Sequence, residues 1–182
     1  MSETLADPEA AEILAEPPFF ILGSGRSGTT LLQSLLSAHS RLTVTPETHF
    51  CRRSEAISGV PIDGAPPDFD AWWREWTASP RFLDLKVSPE RCLELMEGRR
   101  DFAAALAAML AAFGEAAGKP RVGEKTPGHM HFVPWLLKVF PDARIIALQR
   151  DPRAVIASIA KAPWSLDFDP ARSFLVRATR LH

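Results

Sequence analysis

The stretch FFILGSGRSGTTLLQSLL, residues 19–36, decides the fold of this chain. Its first four residues form an apolar run that predicts a short buried strand. The leucines after Thr29 recur at helical spacing and predict a helix over residues 29–38. Between the two lies the glycine-rich turn of residues 23–28, where backbone N–H groups and the positive end of the helix dipole converge. The sequence therefore predicts an anion-binding site in this turn.

The bulk composition excludes several classes of function. The chain has 182 residues, enough for one well-packed domain, and its net charge of -1 excludes a general attraction to nucleic acid or to an anionic membrane. Its two cysteines exclude a disulfide framework or a cysteine metal cluster and indicate a reducing compartment. We therefore expect a cytoplasmic protein without a nucleic-acid or membrane partner.

The rest of the chain alternates strands and helices. Further short strands are predicted over residues 42–45, 121–123 and 143–148, with later helices over residues 129–140 and 151–160. Strands separated by helices form a parallel sheet that is covered on both faces. The sequence therefore predicts an α/β fold, a P-loop-like three-layer sandwich with a central parallel sheet.

The chain divides into a lead-in and one domain. Residues 1–17 are predicted to be a flexible lead-in, and residues 18–182 a nucleotide-binding domain. Capped helices interrupt the alternation, so we expect a helical insertion over about residues 66–118. A last helix is predicted from Asp169, and the chain ends inside it. We expect the chain to be the N-terminal part of a longer protein, with the sandwich incomplete at its C-terminus.

Some segments are assigned by their apolar residues or by their helix breakers. The helix after the glycine turn carries four leucines that we expect to form its buried face: Leu31, Leu32, Leu35 and Leu36. Residues 51–68 hold five glycines and prolines and are predicted to be loop. A short predicted helix then places Trp72, Trp73 and Trp76 together, either as core packing or as an apolar wall for an acceptor substrate.

Three kinds of glycine-rich loop fit the turn at residues 23–28. The glycine spacing matches the dinucleotide fingerprint, and Glu47 lies at about the distance of its ribose-binding acid. The loop of a nucleotide kinase or hydrolase has similar spacing but needs Lys after the last glycine, where this chain has Thr29. The third kind binds a sulfonated nucleotide. Its sulfuryl group carries less charge than a phosphoryl group, so protein cations such as Arg26 hold it without a metal.

A second module decides among these loops. Arg150 stands at the end of the clearest later strand, where a triphosphate enzyme needs an acidic metal ligand. Ser158 follows two turns into the next helix, which allows the two side chains to meet at a second anion. A dinucleotide loop gives this module no role, whereas a nucleotide with a separate 3′-phosphate needs two anion sites. The alternative is a surface pair between Arg150 and Asp151 or another acid.

Together, RSGTTL at residues 26–31 and RDPRAVIAS at residues 150–158 resemble the two nucleotide motifs of sulfotransferases that use 3′-phosphoadenylyl sulfate (PAPS). The chain is most similar to the bacterial sulfotransferase family and to the tyrosylprotein and heparan sulfotransferases, over residues 19–165. The resemblance implies that Arg150 and Ser158 hold the 3′-phosphate. It also implies that the first motif holds the 5′-phosphosulfate through five residues: Arg26, Ser27, Gly28, Thr29 and Thr30.

The resemblance further implies the catalytic residues. In the branch with Arg-Ser-Gly-Thr-Thr the base is a Glu shortly after the second strand, which is Glu47 here. Its place beyond the carboxyl end of a strand independently favours a role at the site. Lys125 resembles the lysine that reaches the transferring group, with a surface pair to Glu124 as its alternative. His49 is a rival base, and His129 is expected to be a packing residue.

These assignments predict one reaction and leave two alternatives open. We expect in-line transfer of the sulfuryl group of PAPS to a hydroxyl or amine of a small-molecule, carbohydrate or peptide acceptor, with catalytic Glu47, Arg26 and Lys125 and no metal. The alternatives are a P-loop nucleotide kinase or hydrolase, and a fragment that binds nucleotide without turnover.

Overall fold

The computed structural model describes residues 8–161. Within them, four strands are formed: β1 (Phe19–Gly23), β2 (Leu42–Val44), β3 (Arg121–Lys125) and β4 (Arg144–Leu148). The α-helices of this part are α1 (Pro8–Ala11), α2 (Thr29–Ser37), α3 (Phe50–Ser58), α4 (Phe69–Thr77), α5 (Pro80–Leu83), α6 (Pro89–Leu95), α7 (Phe102–Ala117), α8 (Val133–Val139) and α9 (Pro152–Ala160). A 3₁₀ helix, Pro127–Phe132, precedes α8.

The described strands form one parallel sheet in the order β2-β3-β1-β4. Phe19 of β1 lies opposite Gly123 of β3 and Arg144 of β4. The ring of Phe19 covers Gly123 so closely that a Cβ there would lie 2.2 Å from a ring carbon. Because the strands are parallel, their carboxyl ends meet at one edge of the sheet.

Alternation along β1 shows that both faces of the sheet are covered. Phe20 and Leu22 point into the large core cluster that includes α7, whereas Phe19 and Ile21 point into a smaller cluster beneath α2. Successive residues of a strand face opposite sides, so one strand contributes to two cores. The predicted α/β sandwich of three layers around a parallel sheet is confirmed.

Five helices, α3 to α7, lie between β2 and β3, and the last four of them fall in the region predicted as a helical insertion. The central one is α7, which is buried on most sides because its many alanines let neighbours approach closely. Its ends follow the sequence signals. Asp101 Oδ1 accepts a hydrogen bond from the N–H of Ala104 at 2.8 Å, and Gly118 ends the helix at a φ of 63°.

The three tryptophans of α4 belong to this core. Trp72, Trp73 and Trp76 are 2%, 6% and 0% exposed. The ring of Trp76 meets Phe50 edge-on at 5.2 Å, and its Nε1 donates to Met109 Sδ at 3.0 Å. Of the two interpretations of this cluster, core packing describes the structure, because the rings are enclosed by other apolar residues.

The prediction of loop over residues 51–68 is wrong in its first half, where α3 forms (Phe50–Ser58). The glycines and prolines that suggested loop begin only at Gly59. Gly59 itself ends α3 in the left-handed conformation, with a φ of 72°. The start of α3 is stabilised by Thr126 and His129, which are distant in the sequence, as well as by the nearby Thr48.

Two other helices differ from their predictions. In α2, Leu31 and Leu35 are 66% and 63% exposed, and only Leu32 and Leu36 pack toward the sheet. The predicted four-leucine face is therefore half correct, because one flank of α2 contacts the sheet. The helix predicted over residues 129–140 starts as 3₁₀ and becomes α-helical at Val133. The α-helix begins here because Pro134 fits the first turn of an α-helix but not its interior.

The two chain ends are described in part. Of the lead-in expected to be flexible, residues 8–17 include α1, where Ala10 is fully buried in the large core. This part of the lead-in therefore packs on the domain. The helix predicted from Asp169 lies outside the described residues.

Neither a disulfide nor a candidate membrane span occurs in residues 8–161. No helix in that range has the length and apolarity that crossing a bilayer requires. Cys51 and Cys92 are buried thiols, and burial raises the pKa of both, that of Cys92 to about 12. The cytoplasmic location stays a prediction.

Candidate active site

The segments predicted to carry chemistry follow the carboxyl ends of the strands at one edge of the sheet. The glycine turn follows β1, Glu47 follows β2, Lys125 ends β3 and Arg150 follows β4. In parallel α/β sheets this edge is where ligands bind. A cleft of ≈ 620 Å³ opens there, a size typical of a ligand site.

The glycine turn has a backbone that most side chains would not permit. Gly23 has a φ of 148°, and a Cβ at this position would lie 2.5 Å from the carbonyl oxygen of Leu148. Gly28, with a φ of 96°, turns the chain into α2. Arg26 also adopts a left-handed conformation, with a φ of 67°. The turn opens the N-terminus of α2 toward the cleft, where its N–H groups and dipole favour an anion.

The structure brings Arg26, Arg150 and Ser158 together at the same cleft. Arg150 Nη1 donates to the carbonyl oxygen of Arg26 at 3.0 Å, and Arg26 Nε donates to Ser158 Oγ at 3.1 Å. The alternative pair of Arg150 with Asp151 is not what the structure shows. Asp151 accepts from Arg153 Nη2 at 2.8 Å, and the hydrogen bonds from Arg153 lower the pKa of Asp151 to about 2.

Glu47 and His49, which line the cleft, form a second group with the buried Lys125. Lys125 Nζ lies 2.7 Å from Glu47 Oε1, and His49 Nε2 lies 3.2 Å from Glu47 Oε2. The lysine side chain is only 5% exposed, so it is not a surface lysine and it pairs with Glu47 rather than Glu124. In this contact His49 Nε2 faces a carboxylate oxygen and acts as a hydrogen-bond donor.

These contacts hold Glu47 in its ionised form. The hydrogen bond from His49 and the pair with Lys125 outweigh the opposing effect of burial and lower the pKa of Glu47 to about 2. A carboxylate with so low a pKa accepts a proton poorly. In this arrangement Glu47 is therefore a weak proton acceptor.

Glu124, which the sequence suggested only as a surface partner of Lys125, belongs to a buried group. Its side chain is fully buried. Oε1 accepts from the hydroxyls of Thr48, at 2.8 Å, and Thr126, and Oε2 lies 3.0 Å from His129 Nδ1. Burial disfavours the charged form, but His129 and the two hydroxyls outweigh it and hold the pKa of Glu124 below its ordinary value. His129, expected to be a packing residue, is a hydrogen-bonding member of this group.

A sequence signal for this group exists in hindsight. A threonine stands directly after Glu47 and another directly after Lys125, in Glu-Thr-His and Lys-Thr-Pro. A hydroxyl next to each candidate catalytic residue is suited to fix its backbone. Pro127 and Gly128, which follow, also line the cleft. Among the described residues, no group of three or more His, Cys, Asp or Glu is placed to hold a metal ion.

Comparison with known proteins gives one family for the chain. The model of the family described as "Sulfotransferase family" matches residues 17–180. Nodulation protein NoeE of Sinorhizobium fredii (strain NBRC 101917 / NGR234) is 34% identical over 150 residues, which cover 82% of this chain and 32% of that protein. Protein-tyrosine sulfotransferase 1 of Homo sapiens is 28% identical over 143 residues, which cover 79% of this chain and 34% of that protein.

The chain spans about a third of the length of these curated relatives. Among solved structures, sulfotransferase STF1 from Mycobacterium tuberculosis H37Rv aligns with a TM-score of 0.41 and 20% sequence identity. That alignment covers 84% of this chain and 50% of the other.

Proposed function

The chain belongs to the sulfotransferase family, and we propose that its cleft transfers the sulfuryl group of PAPS to a hydroxyl or amine acceptor. The observation that carries this proposal is the contact of Glu47 Oε1 with Lys125 Nζ at 2.7 Å, since Glu47 lines the same cleft as the glycine turn. It joins a candidate base to a cation at the edge where the donor would bind.

The two ends of the donor match the two halves of the cleft. The 5′-phosphosulfate would lie at the N-terminus of α2, against the segment from Arg26 to Thr30. Arg150 and Ser158 would bind the 3′-phosphate. Each guanidinium has five N–H donors, and the contacts of Arg26 and Arg150 described above occupy one donor of each. Both side chains therefore have donors to offer an anion while keeping those contacts.

The transfer step needs a base and cations. The acceptor oxygen or nitrogen forms a bond to sulfur while the bond from sulfur to the bridging oxygen breaks, and that electron pair stays on adenosine 3′,5′-bisphosphate. The acceptor proton passes to Glu47, which is typically worth ~10²–10⁴-fold in rate. Lys125 and Arg26 stabilise the negative charge that develops on the sulfuryl and bridging oxygens.

Donor binding also activates the base. The anionic sulfuryl group competes with Glu47 Oε1 for Lys125 Nζ, and loss of that contact raises the pKa of Glu47 from about 2 toward its ordinary value. Lys125 then serves the transferring group, and Glu47 can accept a proton. His49 continues to orient Glu47 through its other oxygen.

The acceptor supplies the hydroxyl or amine that attacks sulfur. The human relative is named for protein tyrosine, which supports a peptide hydroxyl. Carbohydrate and small-molecule acceptors fit the same chemistry. An acceptor screen by mass spectrometry with labelled PAPS distinguishes these classes.

Donor identity is tested first by ligand-induced stabilisation. Adenosine 3′,5′-bisphosphate at 100 times its Kd should stabilise the protein by about 2.7 kcal/mol and raise the melting temperature. ATP with Mg²⁺ is the comparison ligand for a kinase or hydrolase. A shift with ATP and Mg²⁺ but none with the bisphosphate would overturn the proposal.

Glu47→Gln then tests the base. The variant should keep its affinity for the bisphosphate and lose transfer, because an amide holds the same space but accepts no proton. Glu94→Gln, which changes an exposed pair with Arg91 on α6, is the matched control and should keep both properties. Binding without transfer in the unaltered chain would indicate a nucleotide-binding fragment.

A further inference from the structure

We propose that Glu124 is a positioning residue for the transfer step, because its buried carboxylate fixes the turn that carries Glu47 and His49. The inference rests on the function proposed above. It concerns a group that lies beneath the cleft and contacts neither donor nor acceptor directly.

Glu124 and Lys125 are neighbours on β3, so their side chains point to opposite sides of the strand. Lys125 reaches Glu47 directly, at 2.7 Å. Glu124 reaches the next residue, Thr48, through the hydroxyl at 2.8 Å. The end of one strand therefore contacts the segment after β2 at two successive positions.

Four consecutive backbone N–H groups donate hydrogen bonds to the side chains around Glu124. Thr126 Oγ1 accepts from the N–H of Thr48 at 3.1 Å and of His49 at 3.2 Å. Thr48 Oγ1 accepts from the N–H of Phe50 at 3.1 Å. These two hydroxyls can accept in this way because both donate their own hydrogen to Glu124 Oε1.

The fourth N–H is that of Cys51, which donates to His129 Nε2 at 3.3 Å. Since Nε2 is the acceptor here, the other ring nitrogen, Nδ1, carries the hydrogen that faces Glu124 Oε2 at 3.0 Å. The first N–H groups of a helix have no partner within the helix. At the start of α3 these N–H groups donate to three side chains that Glu124 orients, namely Thr126, Thr48 and His129.

The same contacts hold His49 in an unfavourable conformation. His49 has a φ of 53°, the left-handed region that a residue with a side chain seldom occupies. This backbone places His49 Nε2 at 3.2 Å from Glu47 Oε2. If the turn relaxed, that contact and the direction of the Glu47 carboxylate would change, and the base would no longer face the acceptor.

Thr126→Val and Thr126→Ser test the inference as a pair. Valine has the shape of threonine but lacks the hydroxyl, whereas serine keeps it. We expect Thr126→Val to lower kcat by roughly 10–100-fold, as loss of a supporting hydrogen bond does at other sites. The KM for PAPS and the Kd for adenosine 3′,5′-bisphosphate should change less than about twofold, and Thr126→Ser should restore kcat.

Ser79→Ala is the matched control for loss of a buried hydroxyl. Ser79 is 2% exposed and caps α5, in the insertion, by accepting from the N–H of Phe82 at 3.3 Å. It should affect thermal stability but not kcat. If Thr126→Val does not fold, Thr48→Val against Thr48→Ser makes the same comparison at the N–H of Phe50.

A second readout does not depend on turnover. The pKa of Glu47, measured by NMR titration, should rise in Thr126→Val, because the contact between Glu47 and His49 loosens. It should stay at the parent value in Thr126→Ser and Ser79→Ala. An unchanged titration, or an equal loss of kcat in Thr126→Val and Ser79→Ala, would overturn the inference. A parent chain without transfer or bisphosphate binding would overturn the proposed function, while the titration still decides the role of Glu124.

Discussion

Glu47→Gln and Lys125→Met, made singly and together, test whether their ion pair stabilises the ionised form of Glu47. Oε1 and Nζ are 2.7 Å apart, and the glutamate and lysine side chains are 32% and 5% exposed. A double-mutant cycle isolates the pair because each single variant removes the same contact from a different side. His49 keeps its contact with Glu47 in the Lys125→Met background, so its contribution cancels in the cycle.

The pKa of Glu47 sets the size of the expected effect. The hydrogen bond from His49 and the pair with Lys125 lower it from 4.5 to about 2 despite burial. Without solvent screening, that fall corresponds to roughly 3 kcal/mol of folding free energy at pH 7. Because about a third of the glutamate side chain is exposed and Lys125 is one of two partners, we expect a coupling free energy of about 1 kcal/mol.

The pH dependence of this coupling has a definite sign. A carboxyl whose pKa is lower in the folded state stabilises that state above the unfolded pKa, and the stabilisation is lost as the pH falls from 4.5 toward 2. The stabilisation that corresponds to this whole fall in pKa should decrease by roughly a quarter at pH 4 and by more than half at pH 3, and the coupling with Lys125, as one part of it, should decrease by less. Urea unfolding followed by tryptophan fluorescence at pH 7, 4 and 3 measures each corner of the cycle.

Two results would refute this reasoning. A coupling below about 0.3 kcal/mol at pH 7 would mean that the two substitutions change the free energy of unfolding additively, so the pair itself contributes no stability. A difference in unfolding free energy between the parent and Glu47→Gln that is equal at pH 7 and pH 3 would mean that it does not arise from ionised Glu47. Either result would also remove the physical basis for activation of Glu47 by donor binding.

Three further changes probe the sheet, the insertion and the cleft. Gly123→Ala should destabilise the protein by about 1–3 kcal/mol in urea, because its Cβ would lie 2.2 Å from the ring of Phe19; an unchanged midpoint would show that the ring moves freely. Asp101→Ala should cost about 1 kcal/mol in thermal unfolding by removing the cap of α7, and an unaltered Tm would contradict that role. Ser158→Ala should weaken binding of adenosine 3′,5′-bisphosphate roughly tenfold by calorimetry, with unfolding free energy changed by less than about 0.5 kcal/mol. Equal affinity would exclude Ser158, which accepts from Arg26, as a phosphate ligand.

The elements that the sequence predicts well are those whose signals are local. β1, the glycine turn and α2 follow one another within residues 19–37, and each has its own pattern of apolar residues or glycines. The helix α7 is similarly marked by its cap Asp101, its alanines and the terminal Gly118. Such elements form from interactions between residues close in the chain, so the sequence pattern contains the information needed to recognise them.

The prediction fails where the stabilising partner is far away in the sequence. The N–H of Cys51 at the start of α3 donates to His129, and that of Thr48 donates to Thr126, each pair separated by 78 positions. No residue near α3 supplies these acceptors, so residues 51–58 resemble the loop that follows them. Likewise, Leu31 differs from Leu32 in burial only because one flank of α2 meets the sheet.

The sequence by itself determined the anion-binding turn and the strand ends at which Glu47, Lys125 and Arg150 stand, because each follows a recognisable local pattern. The tertiary structure decided which of these residues meet. β2 pairs with β3 in a register that sets Val44 opposite Gly123, and this register brings the residues that follow, Glu47 and Lys125, within 2.7 Å. Parallel pairing joins segments separated by a long connection, so its register depends on the packing of the whole insertion and not on any local stretch.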